Sequence, residues 1–460
     1  MTSRLVRSLI ALTAVATAAS AQSTPLPAIR PLAKAKAVST ELLGAVSQVR
    51  ALPDGRVLVN DNLGRKILLF DAGLTKSSVV ADTTSATANA YSSRAGGLIA
   101  YKGDSTLFVD PTSLSMLVID GKGVVARVMS VPRPNDAQSL IGGPNGTPAF
   151  DGQGRLVYRG PMGFRFSGVD AKGGDTKAGT TNPTAPESQP IVRISLDTRK
   201  MDTVGYVKIA KQNVSMTHGA DGRFSMTTTV NPLPVIDDWA VTADGRVCIV
   251  RGQEYRIDWF GATSDLASSS KIPFDWKRLN DSTKSAIIDS TKSAMEALRQ
   301  QALTRDRSGG ADVAAFRAGA GAGGGDRAAA GGFRMGEDHS ATHNEAAGPR
   351  REGETGGTGN ISIPPLQFVN PSDLPDYAPP FTAGSVRGDM DGNVWIRTTN
   401  TFSGGSVYDI VNGKGELTDR VLLPPGRVIA GFGKGVVYMG VREGAAGVRL
   451  EVAPIRNATP

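Results

Sequence analysis

The chain has 460 residues, 51 Lys and Arg against 43 Asp and Glu, a formal charge of +8 and a single cysteine. That length exceeds one small domain, and one cysteine excludes a disulfide framework. The positive charge is spread along the chain, with no basic cluster interleaved with aromatics, so no nucleic-acid footprint is present.

Residues 1–21 carry the pattern of a secretory signal. Arg4 and Arg7 give a basic start, Leu9 to Ala19 is a short apolar core, and Ala19-Ser20-Ala21 fits small-x-small cleavage. The apolar stretch is shorter than the roughly 20 residues of a spanning helix. No cysteine follows the cleavage point, so no lipid anchor is available there. The pattern predicts a periplasmic or secreted chain without a transmembrane segment.

Residues 22–36 read as an extended tail and Ala37 to Ala45 as a lone strand. Val46 to Gly73, VSQVRALPDGRVLVNDNLGRKILLFDAG, then reads as three short strands separated by turns. Pro53-Asp54-Gly55 is turn chemistry, because Pro pre-sets φ and Gly accepts positive φ. Arg56 to Val59 and Ile67 to Phe70 are nearly unbroken apolar runs, which require cover on both sheet faces.

The same unit recurs in five more places. Second strands fall at Arg56–Val59, Thr106–Val109, Arg155–Tyr158, Arg246–Val250, Asn393–Ile396 and Gly435–Met439. Gly55, Gly103, Gly154, Gly245, Gly392 and Gly435 precede or open them. Third strands follow at Ile67–Phe70, Met116–Ile119, Ile191–Leu196, Tyr255–Phe260, Val407–Val411 and Val448–Val452. Six repeats of one small sheet predict an all-β chain closed as a six-bladed β-propeller, with each blade packed between two neighbours. The last unit, Val428 to Ile455, supplies only three strands. Ala37 to Ala45 is therefore expected to complete it and close the ring.

Two units are interrupted. Gly160 to Pro190 separates the second and third strands of the third unit, and an insertion from about Asp275 to Thr382 follows the fourth. The insertion opens with a helical segment over 276–304, in which DSTKSA occurs twice and the apolar stripe is thin, so light packing is predicted. Residues 305–359 are Gly/Ala-rich with almost no large apolar side chains, which predicts disorder. Residues 360–381 are Pro-rich and apolar, a segment laid on the propeller surface. The propeller itself is expected over 37–275 and 382–455.

Asp391-Gly392-Asn393-Val394-Trp395-Ile396, followed by Val407-Tyr408-Asp409-Ile410, resembles an NHL-type or TolB-like repeat. Over 37–275 and 382–455 the chain resembles the exported bacterial six-bladed β-propellers of that group. The resemblance implies the fold; members include binding scaffolds, lactonases and lyases, so it does not choose a function. Propeller lactonases resembling gluconolactonase hold a divalent metal in the central channel through Glu, Asn and Asp. The acidic candidates here are Asp237 and Asp238, which open the fourth blade. No Glu occupies the matching innermost strands, so the family's ligands do not transfer, and the favoured reading of these two aspartates is that they cap a turn or pair with an arginine.

Other motifs read as bland. His339 and His343 have the four-residue spacing of a helical metal site, but they lie in the Gly-rich stretch and read as a solvated loop. His218 is the only other histidine, which leaves little for a Ser-His-Asp or Cys-His mechanism. Cys248, inside a strand, reads as a buried inert thiol. Gly319 to Gly325 lacks the GK[ST] ending of a phosphate loop. The sequons at Asn145 and Asn360 matter only in a glycosylating host. Trp239, Trp259 and Trp395 are expected between blades and Trp276 at the surface.

In a four-stranded blade, the loops joining second to third strands and those joining blades emerge on one face. Both insertions are of these kinds, so function is expected there. The residues ending the second strands are Asn60, Asp110, Arg159, Arg251, Arg397 and Gly440. Three arginines at equivalent positions would form a positive arc around the channel mouth, suited to carboxylate or phosphate. Alternatively each pairs with a local carboxylate such as Glu254 or Asp409. The reading is a monomeric, non-catalytic binding or scaffolding propeller without a cofactor. Its ligand, a protein or a small anion, is held by Asn60, Asp110, Arg159, Arg251, Arg397, Asp237 and Asp238. The alternatives are a metal-dependent hydrolase or lactonase with a divalent metal in the channel, and a structural envelope component.

Overall fold

The computed structural model describes residues 25–84, 90–92, 96–161, 180–181, 186–211, 213–218, 224–263, 265–307, 366–444 and 446–456. The signal at 1–21, the Gly/Ala-rich stretch beyond 307, His339, His343, Gly319 to Gly325 and the sequon at Asn360 lie outside them.

Two short strands come first, β1 (Ile29–Pro31) and β2 (Ala37–Val38). Blade 1 is β3 (Gln48–Ala51), β4 (Val57–Asp61), β5 (Lys66–Phe70) and β6 (Ser77–Asp82); blade 2 is β7 (Gly97–Ala100), β8 (Thr106–Asp110), β9 (Ser115–Ile119) and β10 (Val125–Ser130). Blade 3 begins with β11 (Ala149–Phe150) and β12 (Leu156–Arg159), is interrupted by β13 (Thr180–Thr181), and resumes with β14 (Ser188–Ile194) and β15 (Met201–Lys208). A hairpin, β16 (Asn213–His218) and β17 (Phe224–Val230), precedes blade 4, which is β18 (Asp238–Val241), β19 (Val247–Arg251), β20 (Arg256–Phe260) and β21 (Leu266–Ser268). Helix α1 (Asp281–Arg307) and β22 (Gln367–Phe368) follow. Blade 5 is β23 (Phe381–Gly388), β24 (Val394–Phe402), β25 (Gly405–Val411) and β26 (Leu417–Leu423); blade 6 is β27 (Arg427–Gly433), β28 (Val436–Glu443) and β29 (Gly447–Pro454).

The chain is a six-bladed β-propeller, and its core is divided among the junctions between blades. Six buried apolar clusters span the six junctions in turn. Leu58, Ile67 and Phe108 join blades 1 and 2; Leu107, Met116 and Tyr158 join 2 and 3. Val157, Trp239 and Ile249 join 3 and 4; Cys248, Val250 and Ile396 join 4 and 5. Trp395, Tyr408 and Met439 join 5 and 6, and Val57, Leu68 and Leu450 join 6 back to 1. This is why the strands read as unbroken apolar runs: each strand offers one set of side chains to each neighbouring blade. The six turn glycines all take positive φ, from 62° at Gly103 to 89° at Gly55, which is the conformation a tight hairpin asks of them.

The closing strand is where the sequence places it but shorter. β2 pairs antiparallel with β29, Ala37 opposite Val452, and the pairing resumes only at an isolated bridge between Leu43 and Val448. The preceding residues are more than a tail. β1 pairs in parallel with β26 as a fifth strand of blade 5, and Arg30 donates to Asp419 from Nε at 2.9 Å and Nη2 at 2.5 Å. The N-terminal segment therefore stitches two blades.

A seventh sheet, β13-β16-β17-β22, stands apart from the ring. Its strands come from three different connections, all on the loop-rich face. The Pro-rich stretch joins it through β22, paired in parallel with β17. The helix is capped by Asn280, whose Oδ1 accepts the Thr283 amide at 2.8 Å. Lys284, nearly buried, ties it to Asp376 at 2.9 Å. Among the described residues no helix is long and apolar enough to cross a membrane.

Candidate anion site in the channel

The innermost strands, β3, β7, β11, β18, β23 and β27, line the channel. At the loop-rich end its mouth is covered. The blade 2 to blade 3 connection runs through a 3₁₀ turn at Gly143–Asn145 and touches three other blades. The Gln48 side chain of blade 1 donates to the Ile141 carbonyl at 3.2 Å. Trp239 Nε1 of blade 4 donates to the Asn145 carbonyl at 2.9 Å. Against blade 5 the backbone approaches so closely that a Cβ on Gly384 would stand 3.1 Å from the Gly143 carbonyl. Gly142, Gly143 and Gly146 all hold positive φ in this cap. The Asn145 side chain is used inside the protein, accepting from Arg159 Nη2 at 2.8 Å.

Strand register decides which arginines belong together. Counting from the start of each second strand, Leu156, Val247 and Val394 are equivalent, since they pair with Ile194, Phe260 and Val411 at the far end of the third strand. Arg159 and Arg397 are then fourth, and Arg251 is fifth. One residue along a strand reverses the face. Arg159 lies on the face of Val157, toward the next blade, and Arg397 on the face of Trp395, likewise toward the next blade. Arg251 lies on the opposite face, where its Nη1 donates to Tyr206 of the preceding blade at 2.8 Å. The arc of three expected from sequence is a pair plus an outlier.

Arg251 is also neutralised. It binds Asp258 at 2.7 Å and Asp237 at 2.8 Å. Burial opposes its charge, but these two carboxylates more than offset that and raise its pKa. Asp237 is consumed too, accepting the Lys208 amide at 3.0 Å as well. The partners suggested by sequence are otherwise engaged: Glu254 holds Arg256, and Asp409 holds Tyr255 at 2.8 Å and Arg420 at 3.3 Å. Asn60 donates to the Gly96 carbonyl at 2.8 Å. Asp110 accepts from the Ser92 amide at 2.9 Å and from the Ser113 hydroxyl at 2.7 Å; its pKa falls because these bonds outweigh its burial. Gly440 sits within β28 against Val46. These residues are turn and loop fasteners.

Asp238 is different. It opens β18, is fully buried, and accepts the amides of Trp239 at 2.9 Å and Val386 at 3.0 Å, bridging blades 4 and 5. Burial pushes its pKa up to about 6 despite those bonds and the nearby Arg159. Arg159 is itself depressed by burial, with Asp238 acting against the shift, and its Nε is buried without a partner.

A third arginine completes the group, one the sequence reading passed over. Arg387 lies on innermost strand β23 opposite Trp395. Its neighbour Val386 packs into the blade 4–5 junction, so Arg387 faces the other way, on the same face as Trp395 and Arg397. Arg387 and Arg397 are thus diagonal neighbours on adjacent strands, a placement in which like charges repel. Burial lowers the Arg387 pKa and Arg397 adds to the shift, with Tyr408 and Asp238 opposing. Among the described residues neither Arg387 nor Arg397 has an ion pair or a side-chain hydrogen bond. The available signal was a charged residue inside an innermost strand, hidden by a register irregularity between Phe381 and Val386.

The bland expectations for the remaining residues hold where they can be seen. Cys248 is buried and its thiol pushed up to about 12 by burial. Trp239 and Trp395 are fully buried, and Trp276 is 38% exposed. Among the described residues no three of His, Cys, Asp and Glu come together as a metal site.

No protein-family model matches the chain, and no curated protein matches it. Solved structures similar to it include virginiamycin B lyase from Staphylococcus aureus, at 8% identity and TM-score 0.36, covering 90% of this chain and 97% of that one. A gluconolactonase from Xanthomonas campestris is similar at 7% identity and TM-score 0.36, covering 94% and 98%. Regucalcin, a calcium-binding protein from Agrobacterium tumefaciens, is similar at 10% identity and TM-score 0.31, covering 93% and 96%. At such values the likeness carries no argument about the site.

Proposed function

We propose that the protein is an exported, non-catalytic binding or scaffolding propeller whose ligand is anionic and is held in the central channel. The observation that supports this is the charge imbalance there. Arg159 and Arg387 both feel the charge of one carboxylate, Asp238, and Arg397 stands diagonally beside Arg387, while Arg251, the other blade-end arginine, carries its own partners. Arginine presents a planar fork matched to carboxylate or phosphate oxygens, and holding partly buried like charges together without counter-ions is costly. Titration calorimetry of the purified chain against carboxylates, phosphates and anionic glycans, at low and high salt, tests it. Binding weakened by salt and by the Arg159→Ala, Arg397→Ala double variant is expected; no binding to any of these anions refutes it. A metal-dependent hydrolase would instead show a divalent metal at unit stoichiometry and turnover on an ester and lactone panel.

A further inference from the structure

We infer that the ligand is a small oxyanion, a carboxylate or phosphate group of metabolite size, bound inside the channel beneath the 142–146 cap by Arg387 together with Arg397. This rests on the anion-binding reading above and narrows it to a place and a size. Arg387 lies deep on the ring, one residue before the end of β23 and so toward the hairpin-turn end of the channel. It therefore cannot serve a polymer resting on the loop-rich surface. That mouth is bridged by the cap, fastened at Gln48 and Trp239 and packed against Gly384.

Chemistry favours an anion at this pair in particular. Two guanidinium groups on one face of one blade repel each other, and no carboxylate of the described residues reaches them. The acid whose charge acts on Arg387, Asp238, has oxygens already taken by the amides of Trp239 and Val386, and nearby Asp389 is taken by the Trp395 indole and the Asn393 side chain. Asp238 lowers the local potential without filling the forks. A bound oxyanion would supply the missing acceptors and cancel the repulsion. Carboxylate and phosphate share this chemistry, and the experiment separates them.

The test uses the full chain at low ionic strength, with malonate, inorganic phosphate and a sulfated polysaccharide as separate probes in calorimetry. Malonate or phosphate is expected to bind at one site per chain. Arg387→Met and Arg397→Met are each expected to weaken that binding at least tenfold. Arg387→Lys is expected to retain part of it, since a point charge replaces the fork. Thermal melting of each variant establishes folding, and removing one of two repelling charges is expected to leave the midpoint equal or higher. Should the polysaccharide bind while both small anions fail, the anion-binding reading stands and the channel site falls. Should small anions bind equally to wild type and both Met variants, the site is elsewhere and this inference is overturned. Should nothing bind, both fall together.

Discussion

The N-terminal segment offers a graded test of ring closure. Two truncated chains are compared: one beginning at residue 34, which removes β1, and one beginning at residue 47, which also removes β2 and Leu43. The first loses the Arg30–Asp419 pair, whose side chains are 29% and 15% exposed. At that exposure the pair contributes about 1 kcal/mol. It also loses Leu32, buried among Val421, Leu423 and Ile455, for roughly 2 kcal/mol more. At about 2–4 °C per kcal/mol for a domain of a few hundred residues, the melting temperature should fall by roughly 6–12 °C, with the ring intact. The second truncation also removes four backbone bonds to blade 6, among them Lys36 to Val452 and Ser39 to Leu450, both at 2.8 Å. Leu43, 2% exposed in the blade 6–1 junction, goes with them, and the full length of β29 becomes an open edge. An unpaired edge of that kind recruits other chains. Aggregation or loss of cooperative melting is expected, read by light scattering and calorimetry. If the two chains melt together, within a degree of the intact protein, the N-terminus does not close the ring.

Asp238 gives a pH signature. Its folded pKa is raised to about 6 by burial, so between the unfolded carboxyl value near 4 and pH 6 the native state holds more protons, and stability falls as pH rises through that window. Denaturant titrations at pH 4, 5, 6 and 7 should show this slope, and Asp238→Asn should flatten it; an unchanged slope in the variant assigns it to another group. Gly146→Ala should unseat the cap, since its φ is +88° and a Cβ would stand 2.4 Å from the Trp239 Nε1; faster amide exchange at 142–146 with the blade strands still protected is the expected result, and unchanged exchange refutes the cap. Lys284→Met should free α1 from Asp376, so that limited proteolysis cuts between 276 and 307 sooner than in the native chain; equal cleavage rates mean the ion pair does not anchor the helix.

Much of the ring was legible because its determinants are local. A glycine with positive φ at every first hairpin and an apolar run after it mark a blade in any six-residue window, and Gly55, Gly103, Gly154, Gly245, Gly392 and Gly435 all behave that way. What escaped were pairings between distant segments whose own sequence is neutral. Ile29-Arg30-Pro31 has no strand pattern, and its parallel partner lies nearly 400 residues away. The seventh sheet gathers strands from three loops, and its two outer members are two residues long. No periodicity can be read from two residues.

The site was half legible, and the reason is register. Taking the end of an apolar run as a landmark aligned Arg159, Arg251 and Arg397, but blade 4 has an apolar residue, Val250, where blades 3 and 5 have arginine. The run there lasts one residue longer, and its terminal arginine turns to the other face. Counting from the turn glycine separates them: Arg159 and Arg397 stand five residues after Gly154 and Gly392, whereas Arg251 stands six after Gly245. The same parity explains the division of labour. Fifth-position residues look back to the preceding blade, where Asp61 accepts the Gly44 and Ala45 amides and Asp110 accepts the Ser92 amide; they fasten connections. Fourth-position residues look forward, toward the cap and the next innermost strand, and there the chain has placed Asn60, Arg159 and Arg397. In blades 3, 4 and 5 the face of a residue therefore follows from its parity after the turn glycine, and Arg387, opposite the second position on the same face, belongs to the forward set.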